Sequence, residues 1–428
     1  MVRGKLRNSD ARRVYWLNEG AQELFFASIF SVYMLYQVTV ARLDPLQLVL
    51  VGTVLEGTIL VFEIPTGVIA DMISRRLSIL VGVFITGLSF LVPVAFPVFG
   101  GFLLASALWG FGYTFTSGAT SAWIVDEVGE QAAGPVFLRG AQVGQLAGVA
   151  GVLAGALIGG LDLRLPILLG ALGFMALGLV LALVMPETGF RPLPAEQRSS
   201  WAQMGHTFRE GIRVVRRRPL LVTIFAVTAI FGAFSEGYDR LWTAHLVDGI
   251  GFPALDGLQP VHWLAAMSIA ASLVTAWLTG RLRARLDTTQ PRRVTATLVA
   301  AYTLVAAGVI GLALMRSIGA AIVLWMLVAI ARDVGRPLQE TWLNQQVDSP
   351  VRATVLSMNG QMDAGGQVLG GPIFGAIGRA RSIRTVFLIA GLSLAPAIGL
   401  YARTLRRPAA ERATAPPRSP AEDGGASG

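Results

Sequence analysis

Apolar residues run along this chain in blocks about as long as a bilayer is thick. Stretches of roughly 20 such residues recur from end to end, each enough to cross a membrane as a helix. The blocks are continuously apolar rather than alternating, so they do not read as barrel strands. In hydrocarbon a helix satisfies its own backbone polar groups. Polar interruptions place twelve spans near residues 14–40, 45–70, 77–98, 101–125, 136–160, 164–185, 220–247, 259–282, 294–315, 317–341, 352–378 and 383–404. The pattern predicts an all-α membrane protein of twelve transmembrane helices, with both termini on one side.

Composition agrees. The chain is 54% hydrophobic and 14% charged, with a mean hydropathy of +0.60, against about 25% charged in soluble domains. An ordinary soluble enzyme is excluded. Of the 35 basic residues, 28 fall on the termini and one set of loops, and 6 on the alternate loops. The bias puts both termini in the cytoplasm of a multi-pass cell-membrane protein. Basic residues alternate with spans instead of lining one face, which argues against a nucleic-acid partner despite the net charge of +9. Lys5 is the only lysine, and no GxxxxGK[ST] loop for ATP exists. Cysteine is absent, and His206, His245 and His262 are dispersed, the last two expected at the outer surface. Neither a metal site nor a cofactor is expected. Met1 to Arg13 is polar and the next apolar run is too long for a leader's core, so no cleavable signal is expected.

The expected organisation is a short N-terminus (1–13), a first six-helix bundle (14–185), a linker (186–219), a second six-helix bundle (220–404) and a disordered tail (405–428). In the linker, Trp201, Met204, Phe208, Ile212 and Val215 recur at helical spacing among Arg209, Arg213, Arg216 and Arg217. That is a helix lying on anionic lipid or a solvated basic linker. The two bundles echo each other. At an offset of 216, Gly144-Gln145 matches Gly360-Gln361, Val152-Leu153 matches Val368-Leu369, Gly155 matches Gly371 and Gly159 matches Gly375. Trp123 and Trp342 stand at nearly the same offset. Six-helix halves repeated in parallel are a transporter architecture.

Charges inside such spans are costly and mark function. Glu23 in span 1 and Glu56 in span 2 lie about 15–17 Å from their starting interfaces at helical rise. Glu63 shares a face with Glu56, and Asp363 is about 17 Å into span 11. Glu236, Asp239 and Arg240 cluster in span 7, where Glu236 and Arg240 are four apart and can pair. Glu236 and Asp239 are then partly neutralised by Arg240, leaving Glu56 and Asp363 as the unpaired candidates. Span 10 carries Arg332, Asp333, Arg336 and Glu340, spaced for an internal charge network or for a polar extension of the helix. A carboxylate in low dielectric can bind and release a proton, as a proton-coupled carrier requires; the alternative is a carboxylate that hydrogen-bonds a neighbouring helix. In span 5, Gly140, Gly144, Gly148, Gly151, Gly155 and Gly159 fall at spacings that let helices approach closely. In span 11, Gly370-Gly371-Pro372 suggests a bend.

Gly67, Asp71, Arg75 and Arg76, between spans 2 and 3, match the pattern G-x-x-x-D-x-x-x-R-[RK], with Ser74 where a glycine is customary. The motif resembles that of the major facilitator superfamily. The resemblance implies that Arg75 meets Asp126 at the inner end of span 4, and that this cluster latches the cytoplasmic side when the carrier opens outward. Further segments resemble the macrolide- and tetracycline-efflux branch of drug:proton antiporters: Glu56 to Arg76, Trp109 to Glu127, Ser235 to Trp242, and Thr341 through Arg352 to Gly371-Pro372. Two features depart from that branch. No Gly-Pro pair stands between Gly151 and Gly155, and span 4 has no basic residue between Phe102 and Val125. The resemblance implies a monomeric secondary transporter rather than an enzyme, exporting lipophilic drug-like molecules in exchange for protons and conferring antibiotic resistance. Its partners would be a small-molecule substrate, protons and the lipid bilayer. Phe25, Phe26, Tyr33, Met34, Tyr113, Phe115 and Trp242 would then line an apolar pocket. The alternatives are a proton-coupled metabolite importer or symporter and, from another class, a membrane-embedded enzyme.

Overall fold

The computed structural model describes residues 10–191, 209, 212, 213, 215–255, 257–285, 290–347 and 349–406. The basic residues before Asp10, most of the linker and the tail from residue 407 lie outside the described residues. The described part is helical. Its principal helices are α1 (Ala11–Thr39), α2 (Pro45–Met72), α3 (Arg75–Ala95), α4 (Phe99–Thr116), α5 (Ala119–Val128), α6 (Glu130–Gly159) and α7 (Arg164–Val184). Then follow α8 (Pro219–Ala244), prolonged by a π-helical turn (His245–Ile250), α9 (Pro260–Arg285), α10 (Pro291–Leu314), α11 (Ile318–Gln345), α12 (Ser349–Ala380), α13 (Ile383–Ser393) and α14 (Ala395–Arg406).

The start signals are local. Asp44 and Gln47 form a reciprocal capping box ahead of Pro45 at the start of α2. Ser74 caps α3 by accepting from the Leu77 N–H, and Ser382 caps α13 by accepting from that of Thr385. Two expected spans are each split in two. Span 4 breaks into α4 and α5 at Ser117-Gly118, where Gly118 adopts a positive φ of 71° that an L side chain resists. Span 12 breaks into α13 and α14 at Leu394, because Pro396 has no N–H to continue the ladder. Pro372, where a bend was expected, does not interrupt α12.

Among the described residues nine segments are long and apolar enough to cross a membrane. They are α2, α3, α6, α7, α8 with its π turn, α9, α10, α11 and the pair α13–α14. The three other expected spans correspond to α1, α4–α5 and α12. Two of these are the most polar: α1 carries Asn18, Glu19, Gln22 and Glu23, and α12 carries Asn359, Gln361, Asp363 and Gln367.

Helix packing follows the internal repeat. The first half pairs α1 with α6, and the second pairs α8 with α12. Gly144 and Gly148 lie against Glu23, and Gly151 and Gly155 against the backbone of Leu24 and Ser28. Gly366 and Gly370 of α12 lie against Ala229 and Ala233 of α8, and Gly371 turns toward Thr53 of α2 and Glu236. The halves pack along α2 and α12 from Leu46 as far as Glu63, and are tied at the end that carries the α1–α2 loop: Arg379 pairs with Asp44 at 3.7 Å, and Gln259 donates to the Gly160 carbonyl at 3.0 Å. The first half is filled by rings: Phe26, Phe30, Phe90, Trp109 and Phe174 pack with centroids 4.6–6.4 Å apart. Of the amphipathic linker stretch, Ile212 and Val215 pack on the protein core, while Arg209, Arg213, Arg216 and Arg217 are exposed.

Candidate transport site

A cavity of about 630 Å³ opens among α8, α10, α11 and α12, and every residue lining it belongs to the second half. Across it, Arg332 of α11 grips both carboxylate oxygens of Asp239 on α8, Nη2 to Oδ2 at 2.7 Å. This planar fork is the geometry in which a guanidinium binds a carboxylate best. The same guanidinium lies 5.5 Å from the Phe231 ring centroid and 5.6 Å from that of Tyr238.

A relay of neutral groups crosses the same four helices. Tyr302 Oη donates to Gln339 Oε1 at 2.6 Å, and Gln339 Nε2 donates to Thr228 Oγ1 at 2.8 Å. Thr228 Oγ1 in turn donates to Asn359 Oδ1 at 2.9 Å. Asp363, one turn along α12, accepts from Gln367 Nε2 at 3.0 Å and forms no ion pair among the described residues, with Arg332 and Arg336 on the same cavity wall. Asp333 accepts from Thr275 of α9 at 3.5 Å. The expected Asp333–Arg336 pair is not formed among the described residues; Arg336 pairs with Glu340 at 3.3 Å. Arg332 and Arg336 both line the cavity, but only Arg332 is drawn into the protein; Asp333, Arg336 and Glu340 are exposed.

Beside the cavity, where α2 meets α8, Glu236 is 2% exposed and accepts from Arg240 Nε at 3.1 Å. Asp239 was expected to share Arg240, but it is committed to Arg332 instead. Gly52 of α2 sits so close to this pair that any side chain there would overlap the Glu236 carboxylate and the Arg240 guanidinium. One turn on, Glu56 makes no hydrogen bond or ion pair among the described residues. Glu63 accepts from Gln361 of α12 at 2.9 Å. Glu23 is exposed beside α6 and does not line the cavity.

The Gly67–Arg76 motif forms a separate cluster at the end that carries the α2–α3 loop. Arg75 bonds Asp126 through Nη1 at 2.5 Å and pairs with Asp71 at 3.4 Å. Glu187 accepts from Ser74 Oγ at 2.7 Å and from the Arg76 N–H at 2.9 Å. Arg76 Nη2 donates to the Ala182 carbonyl at 2.5 Å. Glu127 accepts from the Gly189 N–H at 2.7 Å. Trp123 Nε1 donates to the Pro186 carbonyl at 2.8 Å. These residues lie in the first half and in the start of the segment that follows α7, and the space beside Gly67 is open. Glu127 and Glu187 had not been singled out; their signal was a carboxylate on each of two segments expected to face the motif.

The expected apolar pocket is not this cavity. None of the seven residues proposed for it lines the cavity, whose two rings are Phe231 and Tyr302. Phe25 and Phe26 pack on Phe174, and Trp242 packs on Trp325 at 4.9 Å. Aromatic side chains bury large areas and fill helix interfaces before they line openings. His245, expected at the outer surface, is buried with Nε2 on the Leu312 carbonyl at 3.0 Å, because the π turn folds it inward. Among the described residues no group of His, Asp and Glu could hold a metal ion.

Comparisons agree with this architecture. Residues 20–331 match the family described as Major Facilitator Superfamily. An uncharacterized MFS-type transporter of Bacillus subtilis (strain 168), YxaM, is 25% identical over 391 residues, covering 87% of this chain and 91% of its own. A variant of the nucleoside transporter NupG superposes with a TM-score of 0.76 at 15% identity, covering 93% of this chain and 100% of its own. A POT family transporter in complex with 5-aminolevulinic acid gives 0.68 at 14% identity, covering 93% and 96%. At these identities the two solved structures speak for the fold.

Proposed function

The chain belongs to the major facilitator superfamily and is a transporter rather than an enzyme, and from that premise we propose that it carries a polar small molecule across the cytoplasmic membrane, coupled to protons, by alternating access. The observation that carries this reading is the cavity, with its ion pair, its neutral relay and Asp363. Such a wall rewards hydrogen-bonding solutes and penalises purely apolar ones, which would leave its polar groups unpaired. Six spans on each side of the linker form the two moving bodies, and the carrier works as a monomer.

Glu56 is the proton site in this reading. It stands where α2 faces the second half, next to the Glu236–Arg240 pair, and it can exchange a proton without first breaking an ion pair. The basic-residue bias puts the α2–α3 end in the cytoplasm. The contacts between halves at the opposite end then support a form open to the inside. The Arg75–Asp126–Asp71 cluster lies within one half here and would act as the latch when that end closes. Export of lipophilic drug-like molecules is the second reading. It is favoured by the likeness of the Gly67–Arg76 and Trp109–Glu127 segments to efflux carriers, and opposed by the polar cavity wall.

The test is a flux assay in proteoliposomes with a library of solutes, with and without an imposed pH gradient. A polar solute should move, faster with the gradient. Glu56→Gln should abolish the acceleration while leaving gradient-free exchange of the same solute. Gradient-driven flux that survives in Glu56→Gln removes Glu56 as the proton site. Movement of lipophilic dyes alone selects the second reading.

A further inference from the structure

We propose that the transported solute bears a positive charge, as an amino, amidino or guanidino group, and that Asp363 receives it. The inference rests on reading the cavity as the transport site. Six charged side chains line that cavity: the carboxylates of Asp239, Asp333, Glu340 and Asp363 against the guanidiniums of Arg332 and Arg336. Arg332 is committed to Asp239 through two bonds, and Arg336, 85% exposed at the edge of the cavity, pairs with Glu340 at 3.3 Å. An anionic solute would have to take Arg332 from Asp239, leaving that carboxylate without its cation. Such a loss is a barrier built against the wrong ligand.

A cation meets no such barrier. Asp363 and Asp333 each hold only a neutral donor, Gln367 at 3.0 Å and Thr275 at 3.5 Å. Asp333 is exposed, whereas Asp363 is half-buried on α12, its backbone close against Gly232 of α8. Asn359, Asp363 and Gln367 succeed one another at intervals of four, so they form one stripe along the cavity wall. The Asp363 carboxylate has lone pairs left beside the single Gln367 bond, and these suit an ammonium, which has three protons to donate. The excess of carboxylates over guanidiniums also raises the local concentration of cations at the mouth.

The experiment is solute counterflow in proteoliposomes with no pH gradient, read by mass spectrometry on matched sets. One set is tyramine, tyrosol and 4-hydroxyphenylacetate; a second is agmatine, putrescine, uridine, glucose and succinate. Amines should exchange and carboxylates should not. Asp363→Asn should cut the preference for amines over neutral solutes about ten-fold, and Asp363→Glu should keep it. Thermal melting of each variant separates loss of fold from loss of preference. Exchange of neutral or anionic solutes with amines excluded overturns the cation assignment and leaves the carrier reading standing. An equal fall for all solutes in a folded Asp363→Asn protein overturns the role of Asp363. No exchange of any class overturns the carrier reading and this proposal with it.

Discussion

The two halves of the molecule are built on one plan and filled differently. In the first, α1 packs on α6 through glycines, and the interior beside them is packed with Phe26, Phe90, Trp109 and Phe174, with Phe30 at its exposed edge. In the second, α8 packs on α12 in the same way, but the interior beside them is a cavity crossed by Asp239–Arg332 and a Tyr302–Gln339–Thr228–Asn359 relay. Even the paired tryptophans keep their places: Trp123 is buried against the segment after α7, and Trp342 against Tyr401 of α14. The scaffold therefore tolerates either a packed or an open interior, and the chemistry lies in which side chains replace the rings. The motif cluster around Arg75 adds to the contrast, because it braces the packed half alone.

Three substitutions break or sharpen this contrast. The largest effect is expected from Arg332→Ala, which strips Asp239 of its partner inside the cavity: initial flux in proteoliposomes should fall about 100-fold. Flux retained at more than about a tenth of the unmutated rate would move the solute out of the second half. Next is Gly52→Leu, whose side chain would land on Glu236 and Arg240 where the halves close. Transport should fall about ten-fold, as overpacking a tight interface does. The chain has no cysteine, so Asp44→Cys with Arg379→Cys offers a clean cross-link across the closed end, and its yield should drop when Gly52→Leu is added. Unchanged cross-linking would mean that this contact does not govern closure. The smallest effect is expected from Phe26→Leu in the packed half: about 1 kcal/mol of stability, seen as a lower melting temperature, with solute selectivity unchanged. A shift in selectivity would show that the first half also reads the solute.

Much of the fold was legible because apolar blocks, caps and repeats are local signals. The capping box at Asp44, the glycines of α6 and the offset between Gly155 and Gly371 could all be read from the chain. The break at Gly118 could not, because an apolar run continues through it and only its positive φ marks it; at Leu394 the signal, Pro396, was in the chain but went unused. The Glu236–Arg240 pair was legible as two residues four apart on one helix. The Asp239–Arg332 pair was not, since its members lie 93 residues apart and meet only through tertiary packing. Gln339 and Asn359 had a signal that went unused: amides on largely apolar helices need partners as charges do. The aromatic residues proposed for an apolar pocket lie away from this cavity, because ring content alone cannot distinguish a wall from a filling.

That every wall of the cavity comes from one half has a thermodynamic consequence. If this cavity holds the solute while the halves rock, the binding groups keep their mutual distances, and the solute rides as a passenger whose dissociation constant is nearly equal from either face. Such a carrier holds no built-in preference for direction. On the reading proposed above, the gradients would decide which way cargo accumulates, and reversing them would run the same machine backwards.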